Sequence, residues 1–134
     1  EYEKARELAL KGLEILPTDH CLLDTLANIE LYGFRNYKEA EALFLKVIKK
    51  GDEHHYSFTG LGDLYLKMGD YKKAEKYYLK GLHNGLQYTS REIPEIVLKL
   101  KKMIRFYGRF MNDPVRTEHY YEKLMRLKSK APYC

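Results

Sequence analysis

The chain has 134 residues, of which 45% are hydrophobic and 32% are charged, and its formal net charge is +5. This length suits one compact domain or one short repeat array and excludes a second module. No stretch approaches the roughly 18 consecutive apolar residues of a membrane span, and two cysteines, Cys21 and Cys134, are too few for a disulfide framework. We therefore expect a soluble protein of a reducing compartment, the cytoplasm.

The first residues, EYEKARELALKGLEIL, predict an amphipathic helix rather than a signal peptide. The chain starts with Glu1 instead of Met, so we expect a piece of a longer protein. An apolar face of this helix should then be open to upstream chain or to a second copy, and the isolated chain should self-associate. The apolar residues recur at steps of three and four: Tyr2, Ala5, Leu8, Ala9 and Leu13.

The next two segments predict a pair of helices. Residues 21–34 carry Leu23, Ala27 and Leu31 on one helical face. Residues 36–51, NYKEAEALFLKVIKKG, carry a wider stripe that consists of Tyr37, Ala40, Leu43, Phe44, Val47 and Ile48. Together they predict a helix–turn–helix unit.

The pair recurs 34 places later. Residues 55–68 carry Phe58, Leu61, Gly62 and Tyr65, and residues 69–82, GDYKKAEKYYLKGL, repeat the second stripe. Its members are Tyr71, Ala74, Tyr77, Tyr78 and Leu82. A fixed interval of this length is typical of a helical repeat array.

Residues that favour turns precede each second helix. Asn36, Asp70 and Asp113 can accept hydrogen bonds from the amides of the first helical turn. Gly69 suits a left-handed residue that ends the preceding helix, whereas Arg35 at the matching place predicts a different turn.

The C-terminal unit departs from this pattern. MNDPVRTEHYYEKLMRL aligns with residues 68–84 at a distance of 43 places, so the leading helix is about nine residues longer. Thr117 replaces the small Ala, and Gly108 falls where a bulky Tyr is expected. We expect this helix to begin between Thr89 and Pro94, with Thr89 and Glu92 in a capping box. Its wide apolar set indicates a partner face, deeper burial or a homodimer contact.

These residues resemble the tetratricopeptide repeat family. The family pattern W-x₂-L-G-x₂-Y, A-x₃-F, P is matched by Phe58, Leu61, Gly62, Tyr65, Ala74 and Tyr78, with Leu86 at the place of the Pro. The resemblance implies an all-α fold: a right-handed superhelix of stacked antiparallel helix pairs with about three and a half units. We expect one array over residues 1–134, divided into a second helix (1–19), two repeats (20–54 and 55–88) and a divergent or capping pair (89–134).

In such arrays the first helices line a concave groove that binds partners. Helical spacing predicts the partner-binding residues Leu22, Thr25, Leu26 and Ile29, then Tyr56, Thr59 and Asp63, then Lys99, Lys102 and Phe106. This stripe runs from apolar to basic, which favours an acidic or amphipathic peptide. The alternative is that upstream helices, or the long helix of the C-terminal unit, cover the apolar residues. One family subclass binds carboxylates with Lys, Arg and Asn, but Thr25, Ile29 and Gly60 stand at those places, so we do not expect that clamp.

The sequence carries no catalytic, cofactor or metal motif, so we expect no enzyme, no cofactor and no metal. GLG at residues 60–62 lies inside a predicted helix, and H-E-x-x-H, G-x-S-x-G and Cys-x-x-Cys are absent. DEHH at 52–55 and DHC at 19–21 lie in loops without the usual spacing of metal ligands.

Three functional hypotheses remain open. The first is a scaffold that binds a peptide or helix of a partner protein. The second is nucleic-acid binding, since residues 55–134 carry 16 Lys+Arg against 8 Asp+Glu. The third is a regulatory part of a larger enzyme. The second would use Lys99, Lys101, Lys102, Arg105, Arg109 and Arg116, with Phe106 and Tyr107 stacking on bases.

Overall fold

The computed structural model describes residues 1–49, 55–88 and 93–130, and every regular element in these ranges is a helix. Two of the helices continue into a wider, π-helical turn, Ile29–Gly33 and Phe106–Phe110. The helices are α1 (Tyr2–Ile15), α2 (His20–Asn28), α3 (Tyr37–Ile48), α4 (His55–Met68), α5 (Tyr71–Tyr88), α6 (Ile93–Arg105) and α7 (Pro114–Lys130).

Each helix packs on its neighbours along the chain, from α1 on α2 to α6 on α7. This order gives the helix pairs α2–α3, α4–α5 and α6–α7, with α1 as a second helix before them. The all-α fold predicted from the 34-residue interval is confirmed, and the arrangement is that of a helical repeat. The right-handed superhelix and the unit boundaries stay predictions.

Small residues bring the helices close, and aromatic rings fill the space between pairs. Ala40 and Ala74 are completely buried. A Cβ atom at Gly62 would lie 2.5 Å from the ring of Tyr78, and one at Gly60 would lie 2.5 Å from the ring of Phe44. Rings can lie this near the backbone only because both positions are glycine.

The turn at Arg35 differs from the turn at Gly69, as the sequence predicted, although all three turns within pairs contain a residue with a positive φ. Arg35 has a φ of 54°, Gly69 of 83° and Asn112 of 52°. Arginine rarely adopts a left-handed conformation, and at this turn the amide of Asn36 donates to the carbonyl oxygen of Glu30, whereas the amide of Asp70 donates to the carbonyl oxygen of Tyr65. Both non-glycine residues follow a π-helical turn, whereas Gly69 follows a regular α-helix.

The predicted N-caps are confirmed for two of the three residues. Oδ1 of Asp70 accepts from the amide of Lys73 at 3.2 Å, and Oδ1 of Asp113 accepts from the amide of Arg116 at 3.1 Å. Asn36 makes no side-chain cap bond, so its prediction was wrong. The backbone there has φ −89° and ψ 80°, outside the extended region typical of an N-cap.

A tyrosine–glutamate hydrogen bond recurs where one pair packs on the next. We call each contact between a second helix and the following first helix a joint. At the joint of α3 with α4, Tyr65 donates to Glu41. At the joint of α5 with α6, Tyr107 donates to Glu75 at 2.7 Å. The joint of α1 with α2 has Arg6 donating to the buried Glu30 at 2.6 and 2.8 Å instead.

Some sequence predictions fall outside the described residues. These include the Thr89–Glu92 capping box and all of DEHH at 52–55 except His55, which begins α4. The long helix begins at Ile93, inside the predicted window, with Pro94 in its first turn. Its wide apolar set is explained by burial, because Ile96, Leu100 and Met103 are at most 4% exposed.

Candidate functional site

The first helices α2, α4 and α6 contribute to one face that contains two open cavities. We call this surface the first-helix face. The larger cavity has a volume of about 500 Å³ and is lined by Tyr32, Asp63, Leu66, Lys67, Tyr78, Leu98, Lys101, Lys102, Arg105, Phe106 and Phe110. The smaller cavity has a volume of about 230 Å³ and is lined by Asn28, Tyr32, Tyr56, Thr59, Gly60, Asp63, Leu98, Lys99 and Lys102.

Asp63 is the centre of the polar contacts on this face. Its carboxylate accepts hydrogen bonds from Tyr32, from Tyr78 at 2.5 Å and from Nζ of Lys102 at 2.7 Å. Burial, followed by the nearby charge of Asp63, raises the pKa of both phenols well above the usual value. The three donors come from different helical elements, so Asp63 ties α4 to the end of α2, to α5 and to α6.

Two further hydrogen bonds cross between first helices. The hydroxyl of Ser57, which is completely buried, donates to Asp24 at 2.7 Å. Nζ of Lys99, which is 5% exposed, donates to Thr59 at 2.9 Å. Burial raises the pKa of Asp24, and the hydrogen bonds from Ser57 and Asn28 oppose that change. These bonds fix the distances between neighbouring first helices, so the cavities are preformed.

A basic rim surrounds the larger cavity. Lys67, Lys101 and Arg105 are exposed, and none of them lies within 4.0 Å of a carboxylate oxygen in the part of the chain that the structure describes. The charge of Lys102, by contrast, is matched by Asp63. The rim therefore presents three cationic groups to whatever enters the cavity.

An apolar side chain stands between the two cavities. Leu98 lines both of them and is 54% exposed. Aromatic side chains from Tyr32, Tyr78 and Phe110 form nearby walls. Apolar contact surface beside cationic groups is the combination that binds a peptide with one apolar anchor and acidic neighbours.

The structure separates the predicted site residues into two sets. Six of them line the cavities: Tyr56, Thr59, Asp63, Lys99, Lys102 and Phe106. Phe106 contributes to the wall but is only 1% exposed, and Lys99 and Lys102 are held by hydrogen bonds to Thr59 and Asp63.

The four predicted residues of α2 and its π-helical turn line neither of these two cavities. Leu22 packs over Gly12 of α1, where a Cβ atom would lie 2.9 Å from the leucine side chain. Leu26 and Ile29 are core residues, 4% and 7% exposed. Thr25 is exposed, and its hydroxyl donates to the carbonyl oxygen of Cys21. The 34-residue interval does not carry over here because the π-helical turn Ile29–Gly33 changes the helical register.

Several cavity residues were not predicted from the sequence. Asn28 and Tyr32 take the place on this face that Thr25 and Ile29 were expected to occupy. Leu98 lies one residue before the predicted Lys99, and an isolated leucine beside a lysine run gives no sequence signal.

The structure contradicts base stacking in the nucleic-acid hypothesis. Phe106 and Tyr107 are each 1% exposed, so neither ring is available to a base. Three of the six predicted cations are also engaged: Lys99 with Thr59, Lys102 with Asp63, and Arg116 with Glu75 and Asp113. Lys101, Arg105 and Arg109 are exposed.

The described residues were also searched for metal ligands and membrane spans. They contain no group of three His, Cys, Asp or Glu side chains arranged to hold a metal ion. Within the same ranges, no helix combines the length and apolar character that crossing a bilayer requires. Cys21 is an exposed thiol.

Comparison with known families identifies one unit of the chain. The tetratricopeptide repeat family model matches residues 57–87, which cover most of α4 and α5. No curated protein matches the chain. The resemblance carried by Phe58, Leu61, Gly62 and Tyr65 is therefore confirmed for this unit. At a general level, such a repeat indicates a protein–protein interaction scaffold, and the family is generally non-enzymatic.

Proposed function

Because residues 57–87 form a tetratricopeptide repeat, we propose that the chain is a scaffold that binds a partner protein on its first-helix face. The partner segment is a peptide or helix with acidic side chains and one apolar anchor. The acidic side chains pair with Lys67, Lys101 and Arg105, and the anchor packs beside Leu98.

The observation that carries this proposal is the exposed Leu98 at a cavity of about 500 Å³ with an uncompensated basic rim. A cavity of this size accommodates one or two side chains of a partner. The hydrogen bonds of Asp63 to other helices hold the cavity open in the absence of a partner. Less free energy is then needed to order the site when a partner binds.

The experiment measures the affinity of an acidic amphipathic helical peptide by fluorescence anisotropy. A matched peptide with every Glu replaced by Gln has the same shape without the charge. We expect the Glu peptide to bind at least tenfold more tightly, because three cationic groups face it.

Two protein variants locate the binding. The double variant Lys101→Glu, Arg105→Glu should weaken binding roughly tenfold or more, and Leu98→Ser should weaken it several-fold. The matched control is Lys38→Glu, Lys46→Glu, which makes the same charge change on the exposed surface of α3. If the control weakens binding as much as the rim variant does, the attraction is only net charge and the proposed site is wrong.

A nucleic-acid probe under the same conditions separates the second hypothesis. Single-stranded RNA should bind weakly at 150 mM salt, and its affinity should fall steeply between 50 and 200 mM salt. Tight RNA binding at 150 mM salt that depends on Lys101, Arg105 and Arg109 would favour the nucleic-acid hypothesis over the scaffold.

A further inference from the structure

Three cationic side chains line the larger cavity of the first-helix face. Lys101 and Arg105 are four residues apart in α6, so their side chains are neighbours on one side of that helix. Lys67 comes from α4, and its Nζ lies 5.7 Å from the centre of the Tyr32 ring. None of the three forms an ion pair within the described parts of the chain. Two helices therefore bring three unmatched positive charges to one opening.

The spacing of Lys101 and Arg105 favours a bound anion. Like charges four residues apart in a helix repel each other. Asp63, a carboxylate that lines the same cavity, already accepts hydrogen bonds from two tyrosines and from Lys102. It therefore does not offset the charge of the rim, whereas an anion bound between Lys101 and Arg105 would remove their repulsion.

A phosphorylated side chain matches this charge better than a carboxylate does. Phosphoserine and phosphothreonine carry about −1.5 to −2 charges at neutral pH and present three strong acceptor oxygens. The planar guanidinium of Arg105 can donate two parallel hydrogen bonds to phosphate oxygens, and each lysine adds a compact charge. A single carboxylate would leave about two of the three charges unmatched.

Leu98 and Asp63 determine where such a phosphate can lie. Leu98 is three residues before Lys101 in α6, so these two side chains are also neighbours. The negative charge of Asp63 repels a phosphate from its own part of the cavity. The phosphate then lies beside Lys101 and Arg105, about 5–6 Å along the helix from an apolar anchor on Leu98.

We propose that Lys67, Lys101 and Arg105 bind a phosphoserine or phosphothreonine of the partner protein, while an apolar side chain of the same segment packs on Leu98. This inference rests on the scaffold function proposed above and names the acidic group that the partner presents. Phosphorylation of the partner then controls its binding.

A phosphorylated peptide fits this opening better than a nucleic acid does. Single-stranded nucleic acids bind through aromatic rings that stack on successive bases, and Phe106 and Tyr107 are each 1% exposed. Three cations at one cavity suit one phosphate rather than a row of phosphates along a strand.

The test uses the 134-residue chain and three forms of the acidic amphipathic helical peptide. The residue four places after the apolar anchor is phosphoserine, Glu or Ser, and the other residues are unchanged. Fluorescence anisotropy measures each affinity at about pH 7.5 and about pH 5.5, on either side of the second pKa of the phosphate. The double variant Lys101→Gln, Arg105→Gln locates the site, and Lys38→Gln, Lys46→Gln makes the same charge change on the exposed surface of α3.

At about pH 7.5 the phosphoserine peptide should bind roughly tenfold more tightly than the Glu peptide, because its phosphate forms more charge-assisted hydrogen bonds. The Ser peptide should bind more weakly than both. The ratio of phosphoserine to Glu affinity should fall to about threefold at about pH 5.5, where the phosphate gains a proton and Glu stays ionised. The double variant of α6 should reduce the ratio at about pH 7.5 to about twofold or less, and the α3 variant should leave it unchanged.

Two results would overturn this inference and leave the scaffold function in place. One is equal binding of the phosphoserine and Glu peptides, both weakened by the α6 variant. The other is a preference for phosphoserine that the α6 variant does not change, because the phosphate would then bind elsewhere.

Two other results would overturn the scaffold function as well. One is no binding of any of the three peptides. The other is displacement of the phosphoserine peptide by single-stranded RNA at an equal concentration of phosphate groups and about 150 mM salt, which would favour nucleic-acid binding.

Discussion

The pairs α4–α5 and α6–α7 make the same contact with the preceding pair from different sequences. Tyr65 of α4 and Tyr107 in the turn after α6 each donate to a glutamate of the preceding second helix. Those glutamates, Glu41 and Glu75, lie 34 residues apart, but the tyrosines lie 42 residues apart. The hydrogen-bonded contact is therefore the same at both joints, although the number of residues between the glutamates differs from the number between the tyrosines.

The π-helical turn Phe106–Phe110 accounts for the difference. Alignment of the second helices places Gly108 opposite Tyr65, but the wider turn adds a residue and brings Tyr107 into the joint. Gly108 is exposed, and a Cβ atom there would meet only Thr117, at 3.5 Å. Gly62, in contrast, lies directly beneath the ring of Tyr78.

High pH should destabilise both joints by the same amount, and this is the largest effect expected. Burial, together with Glu41 and Glu75, raises the pKa of Tyr65 and Tyr107. Above about pH 10 the unfolded chain loses protons that the folded chain keeps, so stability present at lower pH decreases as the pH rises. Each phenol should contribute a loss of about 1.4 kcal/mol per pH unit. Urea unfolding between pH 8 and 11.5 measures it.

Phenylalanine variants assign this loss to the two joints. Tyr65→Phe and Tyr107→Phe should each reduce the slope of unfolding free energy against pH by a similar amount. A reduction in only one variant would show that the joints differ in burial or in hydrogen bonding.

The second largest effect distinguishes Gly62, which lies against an aromatic ring, from Gly108, which does not. Gly62→Ala should destabilise the chain by roughly 2 kcal/mol, because its Cβ atom would lie 2.5 Å from the ring of Tyr78 and force the α4–α5 pair apart. Thermal and urea unfolding give the change. The companion variant Gly62→Ala, Tyr78→Leu should recover part of the loss if the ring contact is the cause, and no recovery would indicate a backbone origin.

The smallest predicted effect is an increase in the free energy of unfolding. Gly108→Ala should stabilise the chain by about 0.5–1 kcal/mol, because glycine is a poor helix former and nothing lies closer than 3.5 Å to the new methyl group. Urea unfolding under the same conditions gives the value. Destabilisation by more than 1 kcal/mol would mean that Gly108, rather than Tyr107, faces the preceding pair.

Periodicity predicted the helices, the pairing and most of the core, because apolar stripes at steps of three and four report directly on burial. Ala40, Phe44 and Val47, all predicted for one face, are completely buried. The interval also predicted the cavity residues of α4, since that helix is regular to its end.

The failures lie next to π-helical turns, where one additional residue alters the helical register. Leu26 and Ile29 were expected on the first-helix face and are buried, and Asn36 was expected to form a side-chain cap bond and forms none. Nothing in the local sequence marks a π-helical turn, because its wider hydrogen bonds depend on packing against neighbouring helices. The hydrogen bonds of Asp63 to three helical elements likewise need the tertiary structure.

A pair of double-mutant cycles tests most directly whether α6–α7 stacks as a repeat unit and so completes the first-helix face. One cycle uses Tyr65→Phe with Glu41→Gln, and the other uses Tyr107→Phe with Glu75→Gln. We predict coupling energies of the same sign and similar size, about 1–2 kcal/mol each, in urea unfolding. A coupling energy near zero for Tyr107 and Glu75, beside a substantial one for Tyr65 and Glu41, would contradict the account.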